Sequence, residues 1–315
     1  MGRKEQIRNP FLEMSISIEK IINSDFITYK GNNFRICFCS NGASIYSCSY
    51  KGHEWFFSPL DKSLFLNSKG FYGKTLGPIA GRYKLNNEVI CHGGDNSISF
   101  MEFEYTCSVN GDVFEIEFRL NLEKEETFYG NHCNYTIIYK VNENGEILIQ
   151  YQIEAKEDTY ASLSLHSYFN FLEEDVRNLK AKIDANEASI LNDDLSVKGF
   201  SKVSKAFDFK NPKLLKETYV EKENLTTRGH YLKGVNYPIR IEDKGCALEI
   251  DSSFPSALIY LDSAPVGVIG LNNKKEKQFS CFVFEPEIDP ENKDELLIKS
   301  NTFKSNWIKL SFFNN

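Results

Sequence analysis

In Val113-Phe114-Glu115-Ile116-Glu117-Phe118-Arg119-Leu120, the apolar residues Phe114, Ile116, Phe118 and Leu120 alternate with Glu115, Glu117 and Arg119. Successive side chains of a strand point to opposite faces, so this stretch reads as a strand with one face in a core and one in water. Glu146 to Glu154 repeats the pattern, with Ile147, Ile149, Tyr151 and Ile153 on one face. The stretches at 34–40, 43–50, 99–107, 134–141, 160–167, 179–184, 236–242, 246–250, 257–262, 279–285 and 305–313 read the same way. Turn pairs such as Asn41-Gly42, Asn110-Gly111, Asn144-Gly145 and Lys244-Gly245 separate them. Only 292–299 suggests a turn or two of helix. Many short strands without interleaved amphipathic helices predict an all-β sandwich or barrel.

The composition agrees. Phe (25) and Tyr (16) are abundant among 315 residues, and both favour a pleated, half-buried surface. The formal net charge of −7 argues against polyanion binding by bulk electrostatics, so neither nucleic acid nor an anionic membrane is expected as a partner. No apolar stretch approaches the roughly 20 residues that span a bilayer, and Met1–Arg8 lacks the apolar core of a secretory signal. The eight cysteines show no C-x-x-C spacing, and most sit in apolar runs. They read as buried free thiols in a reducing cytoplasm, without the spacing of a zinc site. The chain reads as one domain over 1–315, with about 1–25 loosely attached. The polar stretch 186–228 reads as long connections within it.

Few residues can carry chemistry. In Ser162-Leu163-Ser164-Leu165-His166-Ser167-Tyr168-Phe169-Asn170, strand alternation puts Leu163 and Leu165 on one face and Ser164, His166 and Tyr168 on the other. Such a polar row suits a hydroxyl-rich ligand; the competing reading is a hydrogen-bonded core histidine. Glu285 closes the apolar run Phe279-Ser280-Cys281-Phe282-Val283-Phe284, with Pro286 expected to end the pairing behind it. A carboxylate there is a partly desolvated base or simply a strand end. His92 lies in Cys91-His92-Gly93-Gly94-Asp95, whose glycines allow close approach of a ligand to the backbone. Arg82 offers a planar fork of donors for sugar oxygens. His53, His132 and His230 read as surface or turn residues.

In order along the chain, these segments resemble the aldose 1-epimerase (galactose mutarotase) family. The likeness runs through Asn41-Gly42-Ala43-Ser44-Ile45, Gly52-His53-Glu54-Trp55, Tyr72-Gly73-Lys74-Thr75-Leu76-Gly77-Pro78-Ile79-Ala80-Gly81-Arg82 and Cys91-His92-Gly93-Gly94. The most specific match is His166-Ser167-Tyr168-Phe169-Asn170, similar to the family's H-x-Y-F-N signature. Ala206-Phe207-Asp208-Phe209 and Phe284-Glu285-Pro286-Glu287 follow. The resemblance implies a large antiparallel β-supersandwich with a sugar cleft. It makes Glu285 the general base, His166 the general acid, and His92 and Arg82 substrate contacts. Anomer exchange then proceeds by ring opening and closure, with no cofactor and no metal and with a small-molecule sugar as partner. Reference pKa values of about 4.3 and 6.5 would leave a carboxylate base and a protonatable imidazole near neutral pH.

Three departures stand out. His92 follows Arg82 by only 10 positions, where relatives insert a further hairpin. The family's sugar-binding Asp-His pair appears here as Gly229-His230, and a family proline is replaced by Tyr129 in Phe128-Tyr129-Gly130-Asn131. Two alternatives follow: a non-catalytic carbohydrate-binding protein of the same fold, motivated by Gly229, and a hexose-6-phosphate epimerase. The latter needs several basic residues around a phosphate, and the sequence offers only Arg82 in the expected cleft.

Overall fold

The computed structural model describes residues 7–8, 14–85, 88–123, 132–218, 228–289 and 291–314. Its frame is a nine-stranded sheet in the order Glu104–Asn110, Val113–Leu122, Cys133–Asn142, Glu146–Ala155, Thr302–Asn314, Cys246–Ser252, Asn236–Asp243, Lys180–Asp184 and Phe209–Leu214. All of its pairings are antiparallel. The alternation in Val113–Leu120 works as expected, because Phe114, Ile116 and Phe118 are fully buried while Glu115 and Glu117 stay partly in water. A six-stranded sheet from Ile7–Arg8 to His53–Glu54 packs against that face. Tyr29 stacks on Phe114 at 4.6 Å, and Phe38 meets Tyr139 at 5.0 Å. Ser15–Ile21, inside the stretch read as loosely attached, pairs along its length with Ser24–Lys30.

A second six-stranded sheet holds Glu285. It runs Tyr168–Phe169, Phe282–Glu287, Ser256–Tyr260, His230–Lys233, Glu187–Leu191 and Val197–Lys202. Two expectations fail here. The polar stretch 186–228 supplies three strands rather than connections alone. Val197–Lys202 is a sheet edge with no buried residue, and Phe209–Leu214 buries only Phe209, so neither shows an apolar face. Pro286 does not end the pairing either, since it lies opposite Ala257 and Glu287 lies opposite Ser256. On its other side the strand is paired only at Phe282 and Val283, so a missing amide at Pro286 is tolerated as on an edge.

The stretch read as one strand over 160–167 is also divided. Thr159–Tyr160 pairs with Leu297–Ile298, Ser164–His166 pairs with Lys74–Leu76, and after Ser167 the chain joins the second six-stranded sheet at Tyr168–Phe169. Helix in 292–299 is one turn, Lys293–Leu296, capped by the Asn292 side chain, which accepts from the Glu295 N–H. All eight cysteines are free thiols, six of them buried. No helix among the described residues is long and apolar enough to cross a membrane.

Candidate active site

His166 and Glu285 come together because the chain changes sheets between Ser164–His166 and Tyr168–Phe169. The Gly73 N–H donates to the His166 carbonyl at 2.8 Å, and Ser164 Oγ donates to the Pro286 carbonyl at 2.8 Å. His166 Nε2 then lies 3.5 Å from Glu285 Oε1, and both side chains line one cavity of about 300 Å³. His92 joins them, with one donor atom from each of the three residues within 4.8 Å of the others. Arg82, His92, His166 and Glu285 all line this cavity.

The short interval between Arg82 and His92 is itself a hairpin. Arg82–Leu85 pairs with Glu88–Cys91, and Arg82 sits opposite Cys91, so the two residues emerge together at its open end. His92 has a left-handed backbone, φ 51°, a conformation that costs energy for a non-glycine residue. Gly93 follows at φ 88°, where a Cβ would fall 2.4 Å from the Gly77 carbonyl oxygen. The glycine therefore admits the protein's own chain, not a ligand as the sequence reading had it. The Gly81 N–H donates to His92 Nδ1 at 3.1 Å, which leaves the ring's proton on Nε2. Two imidazoles and a carboxylate at this spacing also form a metal-ligand set. The Gly81 bond instead makes His92 a hydrogen-bond donor, the role a sugar oxygen requires.

Aromatic rings fix the two imidazoles. His166 stacks between Tyr168 at 5.1 Å and Phe71 at 6.0 Å, and His92 meets it edge-on at 5.3 Å. Tyr168 stood with His166 in the polar row read from the sequence, whereas Phe71 and Tyr231 were not singled out. Phe71 shows no motif, and like His92 it holds a left-handed backbone, φ 53°. Tyr231 accepts the Arg82 backbone N–H at 2.9 Å and so pins the hairpin to the second sheet.

Burial dominates the electrostatics. It raises the Glu285 carboxyl well above its ordinary range, with the Cys91 thiol adding to the shift. It also lowers His166 well below its ordinary value, reinforced by His92. His92 itself is pulled down to about 3 by burial and then by the Arg82 charge. Burial therefore weights the pair towards a protonated Glu285 beside a neutral His166, not the carboxylate and ready imidazolium expected from reference values. Both arrangements hold one proton, so they are tautomers of a single pair. Behind it, Glu287 is fully buried, and its carboxyl is raised first by burial and next by Glu285.

Two sequence readings need correction here. His230 is neither surface nor turn: it is buried in His230–Lys233, with its ring on Phe207 at 4.8 Å. Its neighbours Tyr231 and Leu232 continue a buried strand. Arg82 is not the only cation in the cleft, because Lys69 and Arg228 line the same cavity from two other segments. The replaced proline at Tyr129 lies outside the described residues.

The sequence model of the aldose 1-epimerase family matches residues 25–282, and the chain belongs to that family. The match takes in Arg82, His92 and His166 and stops just before Glu285. No curated protein sequence matches the chain. Among solved structures, a galactose 1-epimerase from Lactobacillus acidophilus superposes with a TM-score of 0.82 at 16% identity, covering 99% of each chain. An aldose epimerase homologue from C. elegans gives 0.80 at 17% identity, covering 90% of this chain and 96% of its own. A galactose mutarotase-like protein from Clostridium acetobutylicum gives 0.69 at 16%, covering 95% of this chain and 98% of its own. The fold is thus the antiparallel supersandwich expected from the sequence.

Proposed function

We propose that the protein is a cofactor-independent aldose 1-epimerase, a single domain acting on a sugar in the cytoplasm. The observation that carries this is the meeting of His166 and Glu285 at 3.5 Å in a cavity they share with His92 and Arg82. From the ion-paired tautomer, Glu285 takes the proton of the C1 hydroxyl while His166 protonates the ring oxygen. The C1–O5 bond breaks, C1 becomes an aldehyde, and the site is left with protonated Glu285 and neutral His166. That is the tautomer burial favours, so ring opening relieves the cost of two desolvated charges. Rotation about C1–C2 and the reverse transfers close the ring on the other face.

The test is anomer equilibration of freshly dissolved sugars, followed by polarimetry or exchange NMR. Rates above buffer for at least one of glucose, galactose, xylose and maltose, or for a charged derivative, support the reading. Rates equal to buffer for all of them return the protein to the carbohydrate-binding class.

The one-proton pair also predicts the pH profile. Adding a second proton must wait until pH falls to the lowered His166 value. Removing the last one must wait until pH rises to the raised Glu285 value. Activity is lost only outside that window, so kcat/KM should show no inflection at about 6.5, where an ordinary histidine titrates. A clear inflection there would assign the acid to a histidine outside the buried pair.

Gly229 lines the cavity and has no left-handed backbone; a Cβ there comes 3.3 Å from the Leu258 side chain, which must yield slightly. Gly229→Asp is therefore expected to fold and to lower KM for a neutral hexose about tenfold, through one charge-assisted hydrogen bond to a hydroxyl. A folded variant with unchanged kinetics on every sugar would show that this position does not face the bound hydroxyls.

A further inference from the structure

The cavity that holds His166 and Glu285 is lined by Lys69, Arg82 and Arg228. They come from three separate segments: the loop after the helix Lys62–Asn67, the start of the hairpin strand Arg82–Leu85, and the residues just before His230–Lys233. Among the described residues none of the three has a carboxylate partner within ion-pair distance. Glu285 is the only acidic residue among those lining the cavity, and it is buried. The chain as a whole is acidic, at −7, so three unpaired cations around one cavity are not a background of the composition. Burial of Glu285 in a neutral pair with His166 leaves their charge unopposed. A neutral sugar has no use for this excess of positive charge. The missing aspartate at Gly229 removes a carboxylate that would repel an anion and pair with the adjacent Arg228.

We propose that the preferred substrate is an anionic aldose, whose phosphate or carboxylate, remote from C1, is held by Lys69 and Arg228 with Arg82. Guanidinium and ammonium groups bind such oxyanions by charge-assisted hydrogen bonds, and Arg offers two parallel donors to one group. Lys69 is exposed and Arg228 half-buried, so their attraction is partly screened by salt. This rests on the aldose reading of the same cavity.

The experiment compares glucose, glucose 6-phosphate and glucuronate in the exchange assay, with wild type and with the Arg228→Gln, Lys69→Gln and Arg228→Lys variants. At least one anionic sugar is expected to show a kcat/KM about tenfold or more above glucose, the gap narrowing between about 0.05 and 0.5 M salt. The ratio of anionic to neutral kcat/KM should fall about tenfold in Arg228→Gln and in Lys69→Gln, and recover partly in Arg228→Lys. A larger ratio for glucose 6-phosphate than for glucuronate assigns the group as phosphate, and the reverse order as carboxylate. Equal kcat/KM for all three sugars, or a lower one for both anions, overturns the inference and leaves the epimerase reading intact. Should no sugar be exchanged, the epimerase reading falls and calorimetric titration decides this one. Tenfold tighter binding of glucose 6-phosphate or glucuronate than of glucose then upholds the anion site, and equal binding refutes it.

Discussion

Replacing Glu285 by glutamine is expected to slow anomer exchange by about 10²–10⁴, the usual cost of removing a general base, while sugar binding stays within a few-fold. The expectation rests on what the substitution leaves alone. Burial already drives Glu285 towards its neutral form, and an amide has nearly the shape of a protonated carboxyl. One carboxyl oxygen, Oε2, has no hydrogen-bond partner among the described residues, so few contacts are lost. The variant should therefore melt no lower than the wild type, and a lost rate cannot be laid to unfolding. What glutamine cannot do is hold the C1 hydroxyl proton, the one act the proposal assigns to Glu285. A folded variant that keeps more than half of the wild-type rate would remove Glu285 from the mechanism.

Glu285 was legible because a carboxylate closing the apolar run Phe279–Phe284 breaks the local pattern, and such a break has a physical cost that must be recovered. The half-buried strands were legible for a related reason. Phe114, Ile116 and Phe118 face a core while Glu115 and Glu117 face water, so period 2 is written into the residue types. The Val197–Lys202 edge strand, with no buried residue, left no such record. The break at Ser167 was hidden because alternation continues through it while the pairing partner changes. Lys69 and Arg228 escaped for a different reason. Neither belongs to a motif, their positions along the chain are far apart, and only the topology brings them to one cavity. A histidine inside a signature can be weighed alone, whereas a charge acquires its meaning from the charges that the fold places around it.

That dependence on surroundings governs the second large effect. His166→Asn should lower kcat by about 10²–10⁴ and leave KM within a few-fold, because ring-oxygen protonation is needed mainly in the transition state. The ring lies against Tyr168 and Phe71 at the cavity wall, so truncation enlarges the pocket without opening the core. A second readout separates lost chemistry from lost packing. On the proposed mechanism the wild-type pair keeps one proton, which His166 and Glu285 exchange between them. Without the imidazole, Glu285 must release its proton to solvent before it can act as a base, and burial opposes that release. The residual rate of His166→Asn should therefore climb with pH across the neutral range, where the wild-type rate is flat. A variant whose KM rises while kcat and pH profile stay as in the wild type would make His166 a binding residue. The ring-oxygen proton would then have to come from another donor in the cavity, where His92, with its proton on Nε2, is the nearest candidate.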